Sequence, residues 1–189
     1  MTEMIATRQA YGDALVEFGE KNKAIVVLDA DLSKSTTTAK FGKKYPDRFF
    51  NMGIAEANMI NTAAGLATCG KIPFVSSFSI FATGRAWEQI RNTVCYSGVN
   101  VRIVATHSGV SVGPDGASHQ CIEDLSLMRT IPTMTVIEPC DAVETRKSIM
   151  AAIDYKGPLY IRLGRAAVPV LTKKEDPFVI GKANVFRTG

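Results

Sequence analysis

A chain of 189 residues, 46% of them apolar, is long enough to bury one full hydrophobic core and suits a single domain with a short extension. Its 22 basic and 18 acidic residues leave a net charge of +4 that is scattered rather than striped, which favours small anionic ligands over nucleic acid. No window nears the roughly 18 apolar residues of a membrane span, and the opening MTEMIATRQAYGD lacks a signal peptide's basic-then-apolar layout, so a cytoplasmic protein with no membrane partner is expected.

Residues 6–22 place Tyr11, Ala14, Leu15 and Phe18 on one face at spacings of three and four, which predicts an amphipathic helix. The run AIVVLDA (24–30) is unbroken and rich in β-branched residues, as in a strand covered by helices on both faces. The alternation then repeats. Helix 53–68 precedes strand 72–78, helix 84–98 precedes strand 101–106, helix 123–130 precedes strand 133–139, and helix 141–156 precedes strand 158–164. This alternation predicts an α/β domain with a mostly parallel sheet of about five or six strands. Beyond it, Pro169 and Pro177 beside a charged run read as a linker. The final FVIGKANVFRTG (178–189) reads as a strand cut off before its partners, so the natural chain is expected to continue.

The four cysteines, Cys69, Cys95, Cys121 and Cys140, show no C-x-x-C spacing and have only two histidines to assist them. No metal site is expected, and they read as small buried hydrophobes. In a parallel sheet, ligands gather at the carboxyl ends of the strands. That rule singles out the loops DADLSKSTTT, SFSIFATG, THSGVSVGPDGASHQ, EPCD and GRAA. The third (106–120) holds both histidines, His107 and His119, with Asp115 between them. Imidazole titrates near neutrality and a carboxylate can orient it, so this set suits acid/base work. Two solvated loop histidines are an equally good reading. Taken singly, Glu56 in GIAEAN reads as a helix-dipole partner, Phe78 and Phe81 as core, and Arg8, Ser35 and Arg165 as surface groups. HSGVSVG resembles a hydrolase nucleophile elbow only superficially, and the glycine signatures of dinucleotide and phosphate loops are missing.

Four stretches, PDRFFNMGIAEANMINTAAGLA (46–67), IPFVSSFSIFATGRAWEQIRN (72–92), THSGVSVGPDGASHQ (106–120) and LGRAA (163–167), carry a resemblance in their order and spacing. Together they resemble the pyrimidine-binding domain of the transketolase family over nearly the whole chain, most of all the C-terminal subunit of a split transketolase. The resemblance implies a parallel-sheet thiamine diphosphate-binding fold with helices on both faces over residues 1–167. Residues 168–189 would be a linker and the start of a truncated C-terminal transketolase domain, and Met1 just before ATR implies that the chain starts there. The implied activity moves a two-carbon ketol unit from a ketose to an aldose phosphate, as in pentose phosphate metabolism.

Position by position, Glu56 matches the glutamate that bonds the aminopyrimidine nitrogen of thiamine diphosphate, and Phe78 and Phe81 match the aromatics packed on that ring. Asp31 matches an acidic residue close to the thiazolium, His119 the histidine near the reacting carbons, and Asp115 the aspartate that reads a sugar hydroxyl. Arg8, Ser35, His107 and Arg165 match the group that grips a sugar phosphate. The residue types suit these tasks. A carboxyl that shares a proton with the pyrimidine stabilises the tautomer that accepts the thiazolium proton, and charge-assisted, forked hydrogen bonds hold a phosphate dianion.

Departures from the family pattern matter too. Gly84 stands where a tyrosine is common, so the aromatic cradle is thinner or completed elsewhere. Ser108 and Pro114 replace an aspartate and a glutamate, which leaves the acceptor sugar open. No GDG stretch with its following asparagine occurs, so the diphosphate and its Mg2+ or Ca2+ are expected on a separate diphosphate-binding N-terminal subunit. This chain would then be inert alone and work in a two-fold assembly, a homodimer or heterotetramer that includes self-association. Three rivals remain: a 1-deoxy-xylulose-5-phosphate synthase, against which ATH (105–107) stands; a 2-oxoacid dehydrogenase β subunit, which lacks the histidine pair; and a non-catalytic relic of the fold, against which Glu56 argues.

Overall fold

The computed structural model describes residues 3–185. In chain order it runs β1 (Met4–Ala6), α1 (Thr7–Lys21), β2 (Ile25–Asp29), α2 (Ser33–Thr36), α3 (Ala39–Lys44), β3 (Phe49–Asn51), α4 (Glu56–Thr68) and β4 (Ile72–Phe78). A composite helix, α5 (80–96), joins π-helical Ile80–Arg85 and Ile90–Tyr96 through α-helical Trp87–Gln89. Then come β5 (Arg102–Thr106), α6 (Asp124–Arg129), β6 (Thr135–Ile137), α7 (Ala142–Asp154), β7 (Leu159–Arg162) and β8 (Ala167–Pro169). The six strands β2 to β7 form one sheet in the order β3-β2-β4-β5-β7-β6, and every neighbouring pair is parallel.

The pleat sends alternate side chains to opposite faces, and helices cover both. Ile25, Val27, Val104, Leu159 and Ile161 pack with Tyr11, Leu15 and Phe18 of α1 and with Ile149 of α7. Val26, Leu28, Ile103, Ala105 and Tyr160 pack instead with Met59 and Ile60 of α4, Ile90 and Val94 of α5, and Met128 of α6. Each fully buried aliphatic side chain of this size contributes about 1.5–3 kcal/mol. Arg102, buried at the start of β5, donates to the carbonyls of Ala152 (2.7 Å), Tyr155 (2.5 Å) and Gly157 (3.4 Å). It thereby pairs backbone acceptors that the end of α7 leaves free. Burial pulls its guanidinium down to about 10, so it stays charged at neutral pH.

Several expectations shift at their edges. The helix expected over 53–68 begins only at Glu56, because Gly53 adopts φ +68° and Ala55 is non-helical. The helix expected over 84–98 begins earlier, at Ile80, and takes up Phe81, which the sequence places in a loop. The strand expected over 133–139 narrows to Thr135–Ile137. Cys95 and Cys121 are buried as expected, but Cys69 just after α4 and Cys140 just before α7 are exposed. Among the described residues, no helix is long and apolar enough to cross a membrane.

The expected linker is partly docked. β8 pairs antiparallel with β1, Met4 opposite Pro169, so a boundary after residue 167 falls inside a strand. Beyond it, Asp141 holds the chain while capping α7. Its carboxylate accepts from Glu144 N (2.9 Å), Leu171 N (2.8 Å), Thr172 N (2.6 Å) and the Thr172 hydroxyl (2.8 Å). Burial opposes its ionisation, but these donors prevail and hold the carboxyl below its ordinary value. Lys147 Nζ donates to the carbonyls of Lys173 (2.5 Å) and Asp176 (2.6 Å). The strand expected at the end is absent over 178–185, and residues 186–189 lie outside the described residues. Asp141→Ala should cost on the order of 3 kcal/mol, since it removes a helix cap and strands buried donors. Urea denaturation measures that loss, and amide exchange should quicken at Leu171 and Thr172.

Candidate functional site

Because the strands of the main sheet share one direction, the segments leaving β2, β3, β4, β5 and β7 emerge on one edge. The chain leaves β2 toward β3 and leaves β4 toward β5, on the opposite side. The crevice between β2 and β4 is thus a topological switch point, where open α/β sheets bind ligands. Among the described residues, four non-glycine residues have positive φ, and three of them, Asp31, Thr37 and His107, lie on this edge. Such backbone costs on the order of 1–3 kcal/mol per residue and persists only where neighbours hold it.

The loop after β2 is held from beneath. Buried Asp29 accepts from Leu32 N (2.6 Å), the Thr36 hydroxyl (2.6 Å) and the Thr38 hydroxyl (2.8 Å), although burial still raises its carboxyl above the ordinary range. Thr37 then packs on Gly12 of α1, where an added Cβ would lie 2.7 Å from the Thr37 carbonyl. A glycine inside a helix costs about 1 kcal/mol relative to alanine, and this close approach is what it permits. Thr37 also donates its hydroxyl to Arg8 O at 2.5 Å.

That packing brings the candidate anion-binding residues together. Arg8 donates to Ser35 O (2.6 Å) and to Arg165 O (3.2 Å), and Arg165 faces Asp115 at 3.7 Å. Gly113, at φ +69°, lets Arg165 lie so close that a Cβ there would meet Nη1 at 2.7 Å. Burial and the neighbouring Arg165 hold the Arg8 guanidinium below its ordinary value, although Asp115 acts in the opposite sense. An anion between the two guanidiniums would relieve that repulsion.

The histidines divide. His107, only 2% exposed at the end of β5, stacks on Phe78 with centroids 3.8 Å apart, and its Nδ1 meets the Thr106 hydroxyl at 2.9 Å. Burial first, then Arg8, pushes it down from 6.5 to about 4. It is a neutral imidazole at neutral pH, so it does not fit a general acid/base titrating there. His119 bonds Ser118 through Nδ1 (2.9 Å) and sets its ring edge-to-face against Phe81, with centroids 5.2 Å apart. Phe78 and Phe81 lie 6.2 Å apart and nearly parallel, so all four rings make one aromatic wall. Asp115 pairs with Arg165 rather than with either histidine, which leaves the histidine–carboxylate set unassembled.

Glu56 opens α4 and is only 3% exposed. Its Oε1 and Oε2 lie 3.3 and 3.4 Å from Arg85 Nη1, and Ser77 Oγ is 3.5 Å from Oε1. The Arg85 guanidinium also sits 4.2 Å over the Phe81 ring. Sequence reasoning missed Arg85. The available signal was its place beside Gly84, in the gap where the aromatic cradle thins. Asp31 accepts from Asn51 Nδ2 (2.9 Å), and Asn51 in turn accepts from Gly53 N (3.1 Å) on the way to Glu56. A cavity of about 650 Å³ lies elsewhere, between α1 and α7, and its Glu17 and Arg146 already pair at 2.7 Å. Among the described residues, no group of three or more His, Cys, Asp or Glu is placed to hold a metal ion.

The sequence matches the family model described as transketolase, pyrimidine binding domain, over residues 3–170. It is 54% identical over 184 residues to a transketolase C-terminal section of Methanocaldococcus jannaschii, covering 96% of this chain and 58% of that protein. It is 42% identical to a 6-deoxy-6-sulfo-D-fructose transketolase subunit of Clostridium sp. (strain MSTE9), covering 96% of this chain and 56% of the relative. Among solved structures, a split-gene transketolase described as an inactive β4 tetramer superimposes with a TM-score of 0.85 at 57% identity, covering 95% of this chain and 58% of that one. The chain therefore spans a little over half the length of these relatives. A matched family model over most of the chain, on a fold whose loops converge at one switch point, places this protein in the family of the transketolase pyrimidine-binding domain.

Proposed function

We propose that the chain is the pyrimidine-binding subunit of a thiamine diphosphate-dependent transketolase that transfers a two-carbon ketol unit from a ketose to an aldose phosphate. The observation that carries this reading is one sheet edge holding two complementary features. These are a buried carboxylate beside an aromatic wall, and a paired-arginine cluster beside an uncharged histidine.

The residues fit the pyrimidine half of the cofactor, because a buried carboxylate next to ring faces suits a flat heterocycle with a nitrogen to bond. When bound, the cofactor supplies the electron sink for carbon–carbon cleavage. In this reading Glu56 holds the shared proton at the pyrimidine nitrogen, and Phe78 and Phe81 keep water from the ring. His119, at the end of the wall, works near the reacting carbons, and Asp31, tied to Asn51, sits close to the thiazolium. Asp115 reads a sugar hydroxyl. Arg8, Ser35, His107 and Arg165 bind the sugar phosphate, with His107 acting as a neutral hydrogen-bonding group rather than as a cation.

The diphosphate and its Mg2+ or Ca2+ belong, in the same proposal, to a separate N-terminal subunit, in keeping with relatives that are themselves sections or subunits of a transketolase. The split-gene relative supports self-association of this chain as well. Residues 1–167 make up the pyrimidine-binding domain, and residues 168–189 are a linker and the start of a C-terminal transketolase domain, a linker whose first part is tied to Asp141 and Lys147. The whole assembly is assigned to the cytoplasm.

Mixing the chain with a diphosphate-binding subunit should restore transketolase activity, and substantial turnover by the purified chain alone would overturn the two-subunit reading. In that mixture Glu56→Gln should lower kcat by about a hundredfold or more, in the range of lost proton-transfer catalysis, with circular dichroism unchanged. His107→Ala should raise KM for phosphorylated sugars about ten- to a hundredfold while leaving kcat close to its starting value. For the free chain, the folded-state value of His107 lies below its ordinary one. Its contribution to stability is therefore present above about pH 6.5 and lost as pH falls through about 4. NMR titration of the ring should find its midpoint near pH 4, and urea stability should fall across that window less steeply in His107→Gln.

A further inference from the structure

We propose that Arg85 is an internal counter-ion of Glu56 that gives way when the pyrimidine binds, so that cofactor entry exchanges one planar hydrogen-bonding partner for another. The inference rests on the functional reading above and concerns how the same site is opened.

Three observations carry it. First, a carboxylate as buried as Glu56 needs a partner, and Ser77 at 3.5 Å is a weak one. Arg85 supplies the charge, spreading one nitrogen over both oxygens at 3.3 and 3.4 Å. These distances exceed the roughly 2.7–2.9 Å of a tight charge-assisted bond, so the hold is loose. Second, Arg85 covers the two groups assigned to the aminopyrimidine, the Glu56 carboxylate and a face of Phe81, over which its guanidinium lies at 4.2 Å. A guanidinium is planar, stacks on aromatic faces and donates to carboxylates, so it satisfies both surfaces as a flat heterocycle would. Arg85 occupies both Glu56 oxygens, whereas the function asks Glu56 to share a proton with a ring nitrogen. The two arrangements exclude each other. Third, Arg85 is free to leave: its side chain is 53% exposed, and the adjoining Gly84 has open space where a side chain would stand. Withdrawal into water costs such a residue little.

The test has two arms. In the chain alone, urea denaturation of Arg85→Ala, Glu56→Gln and the double variant should show non-additive losses, the mark of a direct contact. Additive losses would overturn the proposal. In the assembly with the diphosphate-binding subunit, calorimetry should find that Arg85→Ala binds thiamine diphosphate about fivefold tighter, the scale expected on removing a half-exposed ionic competitor. Unchanged or weaker binding would overturn it, because a residue that helps to hold the cofactor would be missed on removal. Turnover of Glu56→Gln in the same assembly separates the two levels. A large loss there, with no tightening in Arg85→Ala, defeats the exchange alone, whereas near-normal turnover defeats the functional reading and the exchange with it.

Discussion

One constraint governs the molecule: the parallel register of neighbouring strands. Phe78 lies opposite Thr106 at the ends of β4 and β5, so the next residue along β5, His107, emerges beside Phe78 and stacks on it. Asp29 lies opposite Asn51 at the ends of β2 and β3, which puts Asp31 within reach of the Asn51 amide two residues later. A slip of one residue would turn each of these side chains to the other face of the sheet and dissolve the site.

Behind the aromatic wall a buried polar network keeps that register from relaxing at its end. Ser79 Oγ donates to Thr106 O (3.2 Å) and hydrogen-bonds the Ser108 hydroxyl, so it ties together the two residues that flank the strained His107. Tyr160 reaches Ser79 at 3.4 Å and donates to Asp124 at 2.8 Å, where Arg162 Nε arrives at 2.8 Å as well. Burial drives the Tyr160 phenol well above its ordinary value, so it remains a donor. The network and the stacking on Phe78 together account for a histidine held at φ +58° and out of water.

Charge at the edge is arranged in two compartments with different requirements. The Arg8–Arg165 side places two guanidiniums beside an uncharged imidazole, with Asp115 facing Arg165 at 3.7 Å. On the Glu56 side a buried carboxyl group meets a half-exposed guanidinium, which lies over the Phe81 ring face. The aromatic wall of Phe78, Phe81, His107 and His119 links the two.

Much of this was legible in the residues themselves. The period of α1, with Tyr11, Ala14, Leu15 and Phe18 inward, the unbroken run at β2 and the alternation of helix and strand that follows announce a covered parallel sheet, because side-chain spacing and β-branching are local properties. Short elements with no period to read, such as β3 and the β1–β8 pair, were not legible, because distant partners stabilise them rather than their own sequence. The start of α4 shifted for a similar reason, since the positive φ at Gly53 belongs to a loop that the sheet edge shapes. The sequence alone thus determined the fold class and the residue types that gather after the strands. Only the tertiary structure decided that His107 is uncharged, that Asp115 answers Arg165 and that Arg85 answers Glu56. Protonation and pairing depend on burial and on neighbours brought from far along the chain, and no local pattern encodes either.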